Sequence, residues 1–159
     1  MEARTLIVGA DGSPAAQNAI AWAAREASQT GARVVVVTAV DVNTQFARDL
    51  PPTGLFNWRR TLQDDLRKNW VRPLVEAGVT YSTRVVEDAA PDAIMGAADA
   101  EGADLIVIGT HGHGGFRDRL LGSVSYRVIH LARQPVTVIP PDWHAAELLA
   151  ATGARTGGA

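Results

Sequence analysis

The residues whose types and spacing point to chemistry lie near the C-terminal end, from Gly109 to Ser125. Leu105–Ile108 is an apolar, β-branched run that reads as a buried parallel strand, and it stops at Gly109. A loop containing Gly112, Gly114 and Gly115 follows, and Gly122-Ser123 opens a segment with helical spacing. A strand, a glycine-rich loop and a helix N-terminus together set backbone N–H groups and a positive dipole end around an anion. Glycine suits such a loop because no Cβ keeps the backbone away from phosphate oxygens. Ser123 either caps the new helix or donates its hydroxyl to a phosphate. Any one of these glycines alone would read as a turn residue; their spacing, with Ser123, favours phosphate binding.

Other side chains around this loop are weaker candidates. His111 and His113 form an H-x-H pair, but no third ligand of suitable type is recognisable, so they read as loop histidines near a phosphate rather than a metal pair. Arg117, Arg119 and Arg127 are either phosphate-neutralising cations or solvated ones, and no lysine follows the loop as a P-loop requires. Gly112-x-Gly114 lacks the third glycine and trailing acid of a dinucleotide fingerprint. The chain has no G-x-S-x-G elbow and no base placed to activate water at a γ-phosphate. Binding without appreciable turnover is the expectation, so no catalytic residue is assigned.

The elements that must position this loop alternate along the chain. Thr5–Val8 reads as a first strand ending at Gly9-Ala10-Asp11, with Ser13-Pro14 as the start of a helix that Gly31 ends. Small residues at Ala16, Ala19, Ala23 and Ala27 share one face of that helix and predict close packing on a sheet. Arg33–Val40 is a second, central strand. Residues 41–57, with Pro51-Pro52 and Gly54, read as a long loop. Helical spacing resumes over 58–77, with a kink expected at Pro73. A more polar strand over 79–86 reads as an edge, and a short helix over 92–101 precedes the strand at 105–108. A helix from Ser123 to about Ala132, with Val124, Val128, Ile129 and Leu131 as its apolar set, leads to a last strand over Pro135–Ile139.

Strands alternating with helices predict an α/β fold: a single open five-stranded parallel sheet, Rossmann-like, with helices on both faces. Strand order 3-2-1-4-5 is expected on the condition that the first and fourth strands are neighbours. Ligands bind such sheets beyond the strand ends where the order reverses, which with that order lies between Gly9-Ala10-Asp11 and Gly109.

Composition bounds the rest. The chain has 159 residues, 47% of them hydrophobic and 20% charged, a net charge of -2 and no cysteine. One globular domain over 1–141 with a flexible tail over 142–159 is expected. No nucleic-acid partner is indicated by the charge, and disulfides and thiolate chemistry are excluded. The start lacks a signal-peptide pattern and no apolar run is long enough for a membrane span, so a cytoplasmic location is expected.

These residues together resemble the universal stress protein family, in particular its ATP-binding branch. The resemblance rests on Val8-Gly-Ala-Asp11-Gly-Ser13, Gly102-Ala-Asp104 through Gly109, and Gly109-x2-Gly112-x9-Gly122-Ser123 through Ser125, and it spans about residues 4 to 140. It implies ATP as ligand, with Mg²⁺ as its companion, Asp11 by the ribose and phosphates, and the backbone around Ala39-Val40 at the adenine. Gly109, Gly112, Gly122, Ser123 and Val124 would meet phosphates through their amides, assisted by the hydroxyl of Ser123 or Ser125. It also implies a homodimer through the last strand, and a regulatory role with a protein partner the sequence does not identify. A slow ATPase or phosphotransferase using His111, His113 or Asp11, a nucleotide-free interaction module, and AMP or a cyclic nucleotide as the ligand are the competing readings.

Overall fold

The computed structural model describes residues 4–112 and 121–143. His113, Gly114, Gly115, Arg117 and Arg119, and the tail beyond Trp143, lie outside the described residues. Five strands form one sheet: β1 (Thr5–Gly9), β2 (Arg33–Ala39), β3 (Tyr81–Val86), β4 (Leu105–Gly109) and β5 (Val136–Ile139). Every pairing is parallel, as the alternation predicts, and the order is β3-β2-β1-β4-β5, with β1 and β4 adjoining as that expected order required. Val8 stands opposite Val36 on one side and Val107 on the other, so β1 is central. The continuous apolar runs of β1, β2 and β4 are explained by this placement, because both of their faces are covered.

Alternation along the strands divides the core into two layers. Leu6, Val8, Val34 and Val36 face α1 (Pro14–Thr30) and the buried Leu66, Val71 and Leu74. Ile7, Val35, Val37, Ile106 and Ile108 face α5 (Ala90–Glu101) and α6 (Ser123–Leu131). Helix α1 starts as its sequence predicts: the Ser13 hydroxyl accepts the Ala16 N–H at 3.3 Å, Pro14 occupies the first turn, and Gly31 closes the helix in the left-handed region at φ 72°. Its buried face is almost entirely alanine, which brings the helix axis near the sheet.

Residues 41–57 are not a plain loop. The Thr44 hydroxyl accepts from Ala47 N at 3.2 Å and caps α2 (Gln45–Asp49), and Pro52 opens α3 (Pro52–Asp65). The proline pair that reads as a loop is a helix start, where the missing N–H has no partner to lose. The helix expected over 58–77 is interrupted: α3 passes into a π-helical turn, Leu66–Trp70, and then α4 (Arg72–Glu76). The interruption lies just before Pro73, whose ring would meet the carbonyl of Asn69 in a continuous helix. On α6, Val128 is buried, but Ile129 and Leu131 are 39% and 58% exposed, so only part of the expected apolar set faces inward. Helix α5 starts two residues earlier than expected, at Ala90, because Pro91 is accommodated in its first turn.

At the opposite end of the sheet from the strand C-termini, Glu101 pairs with Arg33 at 2.8 Å and with Arg84, tying α5 to β2 and the edge strand β3. The hydrogen bond from Arg33 holds the Glu101 carboxyl below its usual range against the opposing pull of burial, and the charges of Arg84 and Arg33 add to the lowering. A carboxylate with a lowered folded pKa stabilises the fold above its unfolded value, about 4.3, and loses that contribution as pH falls through the lower folded value. Urea melts should therefore show Glu101→Gln less stable than wild type at neutral pH, with the two converging below about pH 4.

Candidate functional site

A cleft opens at the C-terminal edge of the sheet, between the ends of β1 and β4. This is where chain order reverses, since β1 leads to β2 on one side and adjoins β4 on the other. Ala10 leaves β1 with its N–H donated to Val37 O at 2.9 Å. Asp11 then turns outward, its Oδ1 accepting the Ser13 N–H at 2.9 Å. The Gly112 backbone lies close to this carboxylate: a Cβ there would stand 2.5 Å from Asp11 Oδ2 and turn the Asp11 side chain aside.

Gly109 has a different reason to be glycine. A Cβ there would lie 2.7 Å from both the carbonyl carbon and the Cβ of Ala15, in the first turn of α1. The two loops are joined above this contact, where the Ser13 hydroxyl donates to His111 O at 3.4 Å. His111 also places Nδ1 3.0 Å from Thr110 Oγ1.

The start of α6 completes the wall. Gly122 is its N-cap and donates its N–H to Thr110 O at 2.7 Å. The buried Ser125 hydroxyl donates to the Thr110 and Gly109 carbonyls, at 2.7 and 3.1 Å. Both groups are therefore engaged in fastening α6 to the loop after β4. The first intrahelical bond runs from Tyr126 N to Gly122 O. The amides of Ser123, Val124 and Ser125 precede it and have no acceptor within the helix, with the positive end of the helix dipole behind them. Ser123 is exposed at the first helical position and caps nothing.

Of the residues singled out from sequence, Ala10, Asp11, Ala39, Gly109, His111, Gly112, Val124 and Ser125 line this one cleft. Val40 does not; its side chain is 1% exposed in the core and its N–H is donated to Val86 O at 2.8 Å. Ser123 lines a second, more open cleft that shares Ala39, Ala90 and Val124 with the first. Arg127 lies there too, 3.6 Å from Asp92. Among the described residues no three His, Asp or Glu side chains come together as a metal site.

Sequence reasoning missed the apolar walls: Val37, Ala90, Ile94 and Ile108. In sequence they cannot be told from core residues, and only their positions at strand ends and a helix start expose them to the cleft.

The two structural glycines should respond differently to alanine. Gly109→Ala forces the α1 backbone to shift and should cost about 1–3 kcal/mol. In Gly122→Ala the Cβ meets nothing nearer than 3.4 Å, leaving only the weaker capping preference of alanine, about 0.5–1 kcal/mol. Urea melts of both variants check this; equal losses would mean that the α1–β4 contact tolerates a methyl group.

Comparison with known proteins agrees with this architecture. A universal stress protein of Mycolicibacterium smegmatis is 37% identical over 143 residues, covering 86% of this chain and 45% of that protein. Universal stress protein MJ0531 of Methanocaldococcus jannaschii is 33% identical over 142 residues, covering 86% and 81%. The chain thus spans about half the length of the mycobacterial relatives it matches, and most of the archaeal one. Among solved structures, UspA from Lactobacillus plantarum superposes with a TM-score of 0.75 at 22% identity, over 87% of this chain and 99% of the other. A universal stress protein in complex with cAMP gives 0.65 at 28%, over 86% and 96%. The Archaeoglobus fulgidus universal stress protein in complex with dAMP gives 0.62 at 25%, over 87% and 98%. With residues 2–140 matching the family as a whole, the chain belongs to the universal stress protein family.

Proposed function

We propose that this protein binds an adenine nucleotide, ATP foremost, in the cleft between β1 and β4, and acts as a homodimeric regulator that responds to occupancy. The observation that carries this reading is the division of the cleft into two chemistries. Val37, Ala39, Ile94 and Ile108 make one part apolar, suited to a flat base, while Asp11, Gly112 and the start of α6 make the other polar. Asp11 is an acceptor suited to ribose hydroxyls. The amides of Ser123, Val124 and Ser125 suit phosphate oxygens, as helix N-termini do. Mg²⁺ would enter as the companion of those phosphates, with Asp11 as the carboxylate on the cleft wall. Relatives solved with cAMP and dAMP support an adenine nucleotide as the ligand class.

Holding rather than hydrolysing the nucleotide is the role read for the amides and helix dipole, which stabilise negative charge and supply no base. Any slow turnover would draw on Asp11 or His111 in the same cleft. The homodimer would form along β5, an edge strand whose outer side no other strand among the described residues pairs.

Denaturing the purified protein and identifying the released nucleotide by chromatography tests the reading directly. ATP from wild type but not from a Gly122→Val/Ser123→Ala variant is the expected result. A wild type that carries none and ignores added ATP would overturn it. Asp11→Ala should weaken ATP binding about 10-fold or more in calorimetry, as expected for losing a charge-assisted hydrogen bond.

A further inference from the structure

Trp70 is distant in sequence from every candidate site residue and reads there as one more apolar position on a helix. Its surroundings give it a more specific place. The π-helical turn Leu66–Trp70 is closed by Val71 N donating to Leu66 O at 3.2 Å. Leu66, Val71 and Leu74 are fully buried and anchor this turn and the next in the core. Trp70 is only partly buried and reaches the turn between β1 and α1. A Cβ built on Gly12 would lie 2.5 Å from its Cζ2, 3.0 Å from Cε2 and 3.3 Å from Cη2. The indole therefore lies directly against the Gly12 backbone.

Gly12 is the residue between Asp11 and Ser13, and it stands in the left-handed region at φ 80°. Ser13 is held on its far side, by its cap to Ala16 and its bond to His111 O. The torsions of Gly12 thus decide where Asp11 projects relative to Gly112. Glycine reaches both signs of φ at little cost, so the sequence alone does not hold this turn in one state. The Asp11 Oδ1 bond to the Ser13 N–H spans the turn, and a rigid aromatic plate braces it from outside. Single π turns inside α-helices are frequent at functional sites.

We propose that Trp70 is a positioning residue for nucleotide binding: pressed onto Gly12 by the π turn, it holds Asp11 in the cleft. This rests on the nucleotide reading above. Removing the indole lets the Gly12 turn relax, and Asp11 loses its set position while the amides of α6 are untouched. By reciprocity, a nucleotide engaging Asp11 tightens the turn against Trp70.

The test is a double-mutant cycle on ATP affinity, measured by calorimetry with wild type, Trp70→Leu, Asp11→Ala and the double variant. Trp70→Leu should weaken binding about 10-fold on the wild-type background and hardly at all once Asp11 is gone, the signature of coupled sites. Trp70→Phe keeps an aromatic plate and should restore most of the affinity. A form with Trp22, Trp58 and Trp143 replaced by Phe leaves Trp70 as the sole indole. Its emission should shift along the ATP binding isotherm, and should stay fixed in the Asp11→Ala background at saturating ATP. If ATP binds but the two losses add independently, or the Trp70 emission never moves, the positioning role is overturned and the nucleotide reading stands. If wild type binds no ATP, both fall together.

Discussion

The cleft depends on one close approach, the first turn of α1 against the end of β4. At Gly109 a single added methyl would press into the Ala15 backbone. Because that approach is so near, the loop after β1 and the loop after β4 face each other across a narrow gap, and the Ser13 hydroxyl can reach His111 O. The alanine face of α1 serves the same end. Each alanine buries little area, far less than the roughly 1.5–3 kcal/mol worth of a buried leucine or isoleucine. What the small side chains provide is proximity, and proximity turns two strand ends into one site.

Within the cleft, the glycines do three distinct jobs. Gly109 admits a helix, Gly112 admits a carboxylate, and Gly122 turns the chain into α6 while bonding to Thr110. Ser125, buried beneath, adds its hydroxyl to the same fastening. The polar part of the wall is thereby built mainly from backbone: amides at a helix start, with their dipole, set by side chains that are themselves bonded within the protein. A wall of this kind is rigid before any ligand arrives, and a preformed array of donors suits an anion without selecting one anion closely. The mixture of cAMP and dAMP among related structures is in keeping with such a wall.

The segment between β2 and β3 shows how a local irregularity can be put to use. Pro73 cannot continue the helix, and the chain answers with a π turn that keeps Leu66, Val71 and Leu74 in the core. The same turn carries Trp70 to Gly12. Phe46 and Trp58 meet edge to face at 5.3 Å on the adjoining α2 and α3, giving the segment its own aromatic contact. The stretch that reads as a long loop holds α2 and the start of α3, and the segment they open touches, through Trp70, the loop that bears Asp11.

Sequence by itself determined the parallel sheet and its elements. Its order, expected on the condition that the first and fourth strands adjoin, is met by the structure, which opens a cleft between their ends. Uninterrupted β-branched runs can only be buried on both faces, and helices between them force parallel strands with a switch point. Ser13-Pro14 and Gly31 bounded α1 because their preferences are local. The tertiary structure alone decided which glycines face a cleft and which face protein, since a missing Cβ has no signature until something lies against it. It also decided that the Gly122 N–H and Ser125 hydroxyl bond inward, that Val40 stays in the core, and that Val37, Ile94 and Ile108 line a cleft. An apolar residue at a strand end carries the same pattern whether a helix or a ligand covers it. Trp70 beside Gly12 is the same lesson: two residues 58 positions apart meet only because the core places a broken helix over the first turn of the fold.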